Sequence, residues 1–143
     1  MTTNNRHSVS VAAVVLDADQ RVLVIQRRDT GAWQLPGGVL ELDESIERGV
    51  IREVHEETGL QVQPIRLTGV YKNMNLGVVA LVFLARPGEG DPHPTDEATQ
   101  VAWWTAEQVR KGMAEAFAVR ILDALPDSND VAIRHHDGVN LLH

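Results

Sequence analysis

The sequence predicts an α/β (α+β) layered domain, a mixed β-sheet packed between helices. Three observations point to it. Short runs of β-branched and apolar residues recur between turn residues, segments of helical periodicity alternate with those runs, and one run (LGVVALVFLA, residues 76–85) is apolar enough for a central strand. At 143 residues the chain is long enough for a single domain over residues 1–143 with a sizeable core.

The elements follow in order. Residues 9–16 (VSVAAVVL) read as a buried strand, 17–20 (DADQ) as a turn and 22–26 as the returning strand of a hairpin. Arg27, Arg28 and Asp29 open a loop that reaches Trp33-Gln34-Leu35-Pro36-Gly37-Gly38, where the proline and glycines tighten the backbone. A helix follows. Asp43 is its expected N-cap, Glu44 and Glu47 suit the first turn, and Ile46, Val50, Val54 and Thr58, with Ile51 beside them, form a core stripe. Gly59 supplies a left-handed stop. Gly49, inside the helix, costs about 1 kcal/mol relative to alanine; either it gives a phosphate or metal room, or it is drift.

Residues 61–71 and 76–85 read as two further strands. The Gly/Pro-rich segment 87–94 is an active-site loop or a simple connector. Residues 98–104 read as a strand, and Thr105 with Gln108 forms a capping box. Residues 114–125 read as a helix with Phe117, Ile121 and Leu125 inward. Residues 131–143 look like a terminal hairpin turning at Asp137-Gly138, and its edge is a candidate homodimer contact.

Composition narrows the chemistry. With no cysteine there is no disulfide framework, zinc–thiolate site or thiol nucleophile. The opening MTTNNRHSVS has no apolar signal core and no run approaches a membrane span, so a cytoplasmic place and no membrane partner are expected. A net charge of −7 argues against duplex nucleic acid as a partner, though not against a small nucleotide. On the first helix Glu53, Glu56 and Glu57 stand at i, i+3 and i+4, and like charges at that spacing repel. Arg52 is the one cation at close helical spacing, so the cluster calls for a further cation. An all-oxygen set suits Mg²⁺ or Mn²⁺.

The segment GVLELDESIERGVIREVHEETGL, residues 38–60, has the form G-x5-E-x7-R-E-U-x-E-E-x-G-U, with U a bulky aliphatic. It resembles the signature of the Nudix hydrolases at every defined position: Gly38, Glu44, Arg52, Glu53, Val54, Glu56, Glu57, Gly59 and Leu60. The resemblance implies the Nudix α/β/α sandwich and metal-assisted cleavage of a diphosphate linkage in a nucleoside triphosphate or nucleotide-sugar type of substrate. A binding protein that kept the fold and lost turnover is the alternative, although it has no need of the whole glutamate set. By the same resemblance the Gly38 carbonyl and the carboxylates of Glu53, Glu56 and Glu57 bind Mg²⁺ or Mn²⁺. Glu44 and Arg52 form an ion pair locking loop to helix. Glu53 is the candidate general base, with Glu97 its rival.

Beyond the box, Arg27 and Arg28 close the second strand, and one is expected to clamp a substrate phosphate. Tyr71, Trp33, Trp103 and Trp104 are candidates for stacking on a base; Trp103 and Trp104 face opposite sides of a strand, so at most one of them lines the site. His135 and His136 alternate in the same way and are not read as a metal pair. A proline about fifteen residues past the box tends to mark the ADP-ribose branch, but the chain has Asn73-Met74-Asn75-Leu76 in that region. The substrate is left unassigned among nucleotide diphosphate derivatives.

Overall fold

The computed structural model describes residues 5–143, so residues 1–4 of the polar opening lie outside it. The strands are β1 (Ser8–Val15), β2 (Val22–Arg27), β3 (Trp33–Gln34), β4 (Gly37–Val39), β5 (Val62–Asn73), β6 (Val78–Pro87), β7 (Ala98–Trp104) and β8 (Ala132–His136). The helices are α1 (Ile46–Thr58), α2 (Ala106–Gly112) and α3 (Glu115–Leu122).

Strand alternation builds the layers. Val11, Ala13 and Val15 of β1 point to one face, where they meet Val50 and Val54 of α1. Ala12 and Val14 point to the other, where they meet Val109 of α2 and Ala118 and Ile121 of α3. Both faces of β1 are therefore buried, which explains the unbroken apolar run in its sequence. The main sheet has the order β4-β1-β6-β5-β8, with β1–β6 and β5–β8 parallel and the other pairs antiparallel. The expected central strand, β6, is its middle member. A second, antiparallel sheet has the order β3-β2-β7. The architecture is the expected α/β/α sandwich.

Four local expectations differ. The early hairpin is not a ladder: β1 pairs with β6 and β2 with β7, and the only bridge between them is Leu16–Val22. The Asp17 carboxylate turns the chain by accepting from the Asp19 and Arg21 amides. Ser45, not Asp43, caps α1; its Oγ accepts from the Arg48 amide, and Glu44 precedes the helix. The buried face of α1 also lies further round than the apolar residues suggest. Ile46 is exposed, and Glu53 and Glu57 share the buried side with Val50, Val54 and Thr58. Finally, β8 adds to the main sheet beside β5 rather than folding into a two-stranded hairpin. After the turn at Asp137-Gly138 only the bridge from His136 to Leu141 returns, because Asp137 Oδ1 takes the Val139 and Asn140 amides.

Two helix-end expectations hold. Gly59 ends α1 at φ 77°, and Thr105 and Gln108 form the capping box of α2. The third helix is shorter than the expected 114–125: within it Ile121 is fully buried and Phe117 half-buried, while Leu125, half-buried, lies past its end. No helix among the described residues is long and apolar enough to cross a membrane.

Candidate active site

The candidate site lies where β4, α1 and the loop before β7 meet. Val11 pairs with Gly38 across β1 and β4, which sets the glycine backbone directly over α1. A side chain at Gly38 would come within 2.6 Å of both Glu53 carboxylate oxygens, so only glycine lets β4 approach that group so closely. The neighbouring Gly37 amide donates to Glu57 Oε1 at 2.6 Å.

The third carboxylate arrives from the far side of the sequence. Thr95 Oγ1 donates to the Glu57 carbonyl and the His93 amide to the Thr58 carbonyl, docking the loop on the end of α1. Just past β2, the Arg28 amide donates to the Glu97 carbonyl, and its guanidinium donates to the carbonyls of Asp96 and Thr95. Held on both sides, Glu97 faces α1. One oxygen each from Glu53, Glu57 and Glu97 lie within 4.8 Å of one another. Segment 87–94 is thus the approach to a site loop.

Arg52 organises the other edge. Its Nε and Nη2 donate to the two oxygens of Glu44 at 2.9 and 2.6 Å, its Nη2 also to the Val39 carbonyl, and its Nη1 to Glu53 at 2.9 Å and Glu56 at 3.2 Å. Hydrogen bonds from Arg52 hold the Glu44 carboxyl down near pKa 2, and those carboxylates in turn raise the Arg52 guanidinium. Glu44 also accepts from the Glu41 amide, so the expected brace between loop and helix is present. Gly49 belongs to this brace. A methyl group there would press on Leu40 at 2.5 Å and on Glu44 Oε1 at 3.0 Å, so neither room for a ligand nor drift accounts for it.

The electrostatics show where charge is uncompensated. Burial pushes Glu57 up to about 8; Glu53 and Glu97 add to this against the Gly37 hydrogen bond. Burial also raises Glu53, against the pull of Arg52. Two buried carboxylates and a third beside them have two partial counter-cations among the described residues, Arg52 on Glu53 and Arg27 near Glu57. Each is already engaged by another carboxylate, which leaves a donor set that fits a hard divalent ion.

The other expected residues divide. Arg27 lines a cavity of about 280 Å³ that runs up to Gly37 and Gly38, with its guanidinium on Asp29 at 2.6 and 2.9 Å. Arg28 does not face the cavity and instead ties down the Glu97 loop. Glu56 lies on the exposed side of α1 and outside the three-carboxylate group, contacting Arg52. Tyr71 is a correction: it is fully buried, its hydroxyl donates to Asp123 at 2.8 Å, and no ring face is left for a base. Trp33 and Trp104 pack on each other at 4.8 Å over the α2–α3 core, and Trp103 packs on the α1 core. None of these aromatic rings lines the cavity. The lining includes two residues that the sequence reading did not select, Arg120 and His136. The signal for Arg120 was available as the single cation inside the apolar helix EAFAVRIL.

Comparison with known proteins agrees with this architecture. The NUDIX domain model matches residues 6–125. A MutT-like protein of Streptomyces ambofaciens is 54% identical over 136 residues, covering 95% of this chain and 88% of its own. An ADP-ribose pyrophosphatase of Methanocaldococcus jannaschii is 30% identical over 104 residues, 68% of this chain and 62% of that one. The crystal structure of a NUDIX hydrolase from Nitrosomonas europaea superposes with a TM-score of 0.78 at 20% identity, covering 92% of this chain and 80% of the other. With a complete box on a matching sandwich, the chain belongs to the Nudix family.

Proposed function

We propose that the protein is a divalent-metal-dependent pyrophosphohydrolase. It cleaves the diphosphate linkage of a nucleoside diphosphate joined to another group, a nucleoside triphosphate or nucleotide sugar. One observation carries this reading: Glu53, Glu57 and Glu97 converge, two of them buried, beside a cavity that opens at Gly38. Such a set holds Mg²⁺ or Mn²⁺, which neutralises phosphate charge and makes a bound water a stronger nucleophile.

The chain's own residues then divide the work. Glu57 is anchored through one oxygen by Gly37 and offers the other, and Glu53 is oriented by Arg52. Glu56 adds negative charge at the rim. Arg27 stands at the cavity to take a phosphate oxygen in place of Asp29. The Glu97 carboxylate has no hydrogen-bond partner among the described residues, whereas Glu53 is committed to Arg52. Glu97 is therefore the better placed of the two to take the proton of the attacking water. The substrate is a small nucleotide rather than a duplex, in keeping with the chain's net charge of −7.

Incubation with a panel of nucleoside triphosphates, nucleotide sugars and dinucleotides, with Mg²⁺ or Mn²⁺, tests the reading through released phosphate or pyrophosphate. Turnover is expected with metal and is abolished by chelator. Equal turnover in chelator would overturn it.

A further inference from the structure

The cavity lined by Gly37 and Gly38 is also lined by Arg120, a largely buried cation with no anion paired to it among the described residues. Arg120 Nε is buried with no acceptor. Its Nη2 lies 3.2 Å from His136 Nε2, but His136 Nδ1 already faces the Gly138 amide at 2.9 Å. A neutral imidazole has one acceptor nitrogen, so it cannot accept from both donors. Burial, and then Arg120 itself, lowers the His136 pKa and keeps the ring neutral. The nearby carboxylate, Asp123, is taken by Tyr71 and Arg134. The guanidinium is held in place between rings, 5.3 Å from the centre of Tyr71 and 4.8 Å from that of Phe117. It is a positioned fork of donors whose buried Nε has no acceptor and whose Nη2 competes with the Gly138 amide for one imidazole.

The rest of the lining says what acceptor belongs there. Val11, Leu35, Val78 and Phe117 contribute apolar wall and Ser10, Gln34 and Asn73 uncharged polar groups, which suits a flat ring with polar edges and not a phosphate. The charged end of a nucleotide is accounted for by Arg27, which lines the cavity, and by the carboxylate cluster, which adjoins the lining glycines Gly37 and Gly38. Building on the hydrolase reading above, we propose that Arg120 is the base-reading residue of this cavity and selects a 6-oxopurine. Guanine and hypoxanthine present adjacent O6 and N7 acceptors that match a guanidinium fork; adenine replaces O6 with an amino donor that opposes it. His136 lines the same cavity, with its Nε2 3.2 Å from Nη2 of the fork.

The test compares kcat/KM for GTP and ITP with that for ATP in Mg²⁺, within single preparations so that the folded fraction cancels. ITP isolates the O6/N7 edge from the guanine 2-amino group. GTP and ITP are each expected to exceed ATP by about ten-fold or more. The ratio should collapse toward one in Arg120→Gln and fall several-fold in Arg120→Lys, which keeps the charge without the fork. An ATP preference, or a ratio unchanged in either variant, overturns the proposal. Should Arg120→Gln not fold, Arg120→Lys alone decides it. Calorimetric binding of GMP, IMP and AMP in chelator provides a readout independent of turnover. If no triphosphate is hydrolysed while a nucleotide sugar or dinucleotide is, the hydrolase reading stands and these affinities decide the role of Arg120 by themselves. If nothing in the panel is hydrolysed, the hydrolase reading fails and the affinities still decide that role. Equal affinities would overturn it.

Discussion

Two groups of ionisable side chains lie on opposite faces of the main sheet, and only one is balanced. On the α3 side, Asp123 receives the Tyr71 hydroxyl and two guanidinium donors of Arg134, each at 2.8 Å. Each of these groups has its partner. On the α1 side, Glu53, Glu57 and Glu97 converge with Arg52 at one edge and Arg27, itself paired to Asp29, acting from a distance. Burial, normally a penalty on charge, is offset in the first group by hydrogen bonds and left standing in the second. The balanced group holds the fold, and the unbalanced one keeps capacity for a ligand. Arg120, unbalanced in the positive sense, makes the same point three residues before Asp123.

The largest expected effect separates these roles. Glu57→Gln should lower metal-dependent turnover by at least about 10²-fold, the scale of losing a preorganised electrostatic group. In chelator the same variant should melt higher than wild type. A carboxyl whose folded pKa is pushed up to about 8 costs stability at any pH above its unfolded value near 4.5, and glutamine removes that cost. A gain of about 1 kcal/mol is a Tm rise of roughly 3 °C. Differential scanning calorimetry beside the activity assay checks both, and a lower melting point would place Glu57 with the structural groups.

Asp123→Ala is the reverse case. It removes three hydrogen bonds and leaves the buried Tyr71 hydroxyl without an acceptor, at a cost of about 2–3 kcal/mol. Urea unfolding measures it, and turnover should still depend on metal. A loss below about 0.5 kcal/mol would mean that the trio is not balanced in the sense used here.

The contrast explains what the sequence made legible. Every position of the box was readable, because its glycines and charges recur at a spacing set by one loop and one helix, and Glu97 was visible as an acid beyond a Gly/Pro loop. The cavity was not. Its lining joins Ala12, Val78, Arg120 and His136 from four separated segments, and pairing such as β5 with β8 leaves no local periodicity to read. The same limit misplaced Tyr71, whose neighbour Asp123 is 52 residues away. It also hid the two sheets, since the turn at residues 17–20 looks alike whether or not its strands pair.

A smaller effect is expected from pH. Burial works to raise the Asp123 pKa, but the hydrogen bonds from Arg134 and Tyr71 outweigh it and hold the group below its ordinary value. A carboxylate depressed in the folded state contributes stability that is complete above its unfolded pKa of about 4 and is lost as pH falls through the folded value. Wild type should therefore lose stability more steeply than Asp123→Asn below about pH 4. Denaturant midpoints from pH 6 down to 2 check it; parallel curves would show that Asp123 titrates normally.

The smallest effect tests how tightly the brace of the unbalanced site is built. Gly49→Ala gains about 1 kcal/mol of helix propensity. Against this, the new methyl presses on Leu40 Cδ1 and approaches Glu44 Oε1. The Leu40 methyl ends a flexible side chain and can move, while Glu44 is held by Arg52 at 2.6 and 2.9 Å. The two terms oppose, so the net change in stability should stay within about 1 kcal/mol. Any shift should appear in turnover, because Arg52 passes displacement of Glu44 on to Glu53. A gain of the full 1 kcal/mol with kcat unchanged would mean that Leu40 absorbs the methyl alone and Glu44 is not disturbed.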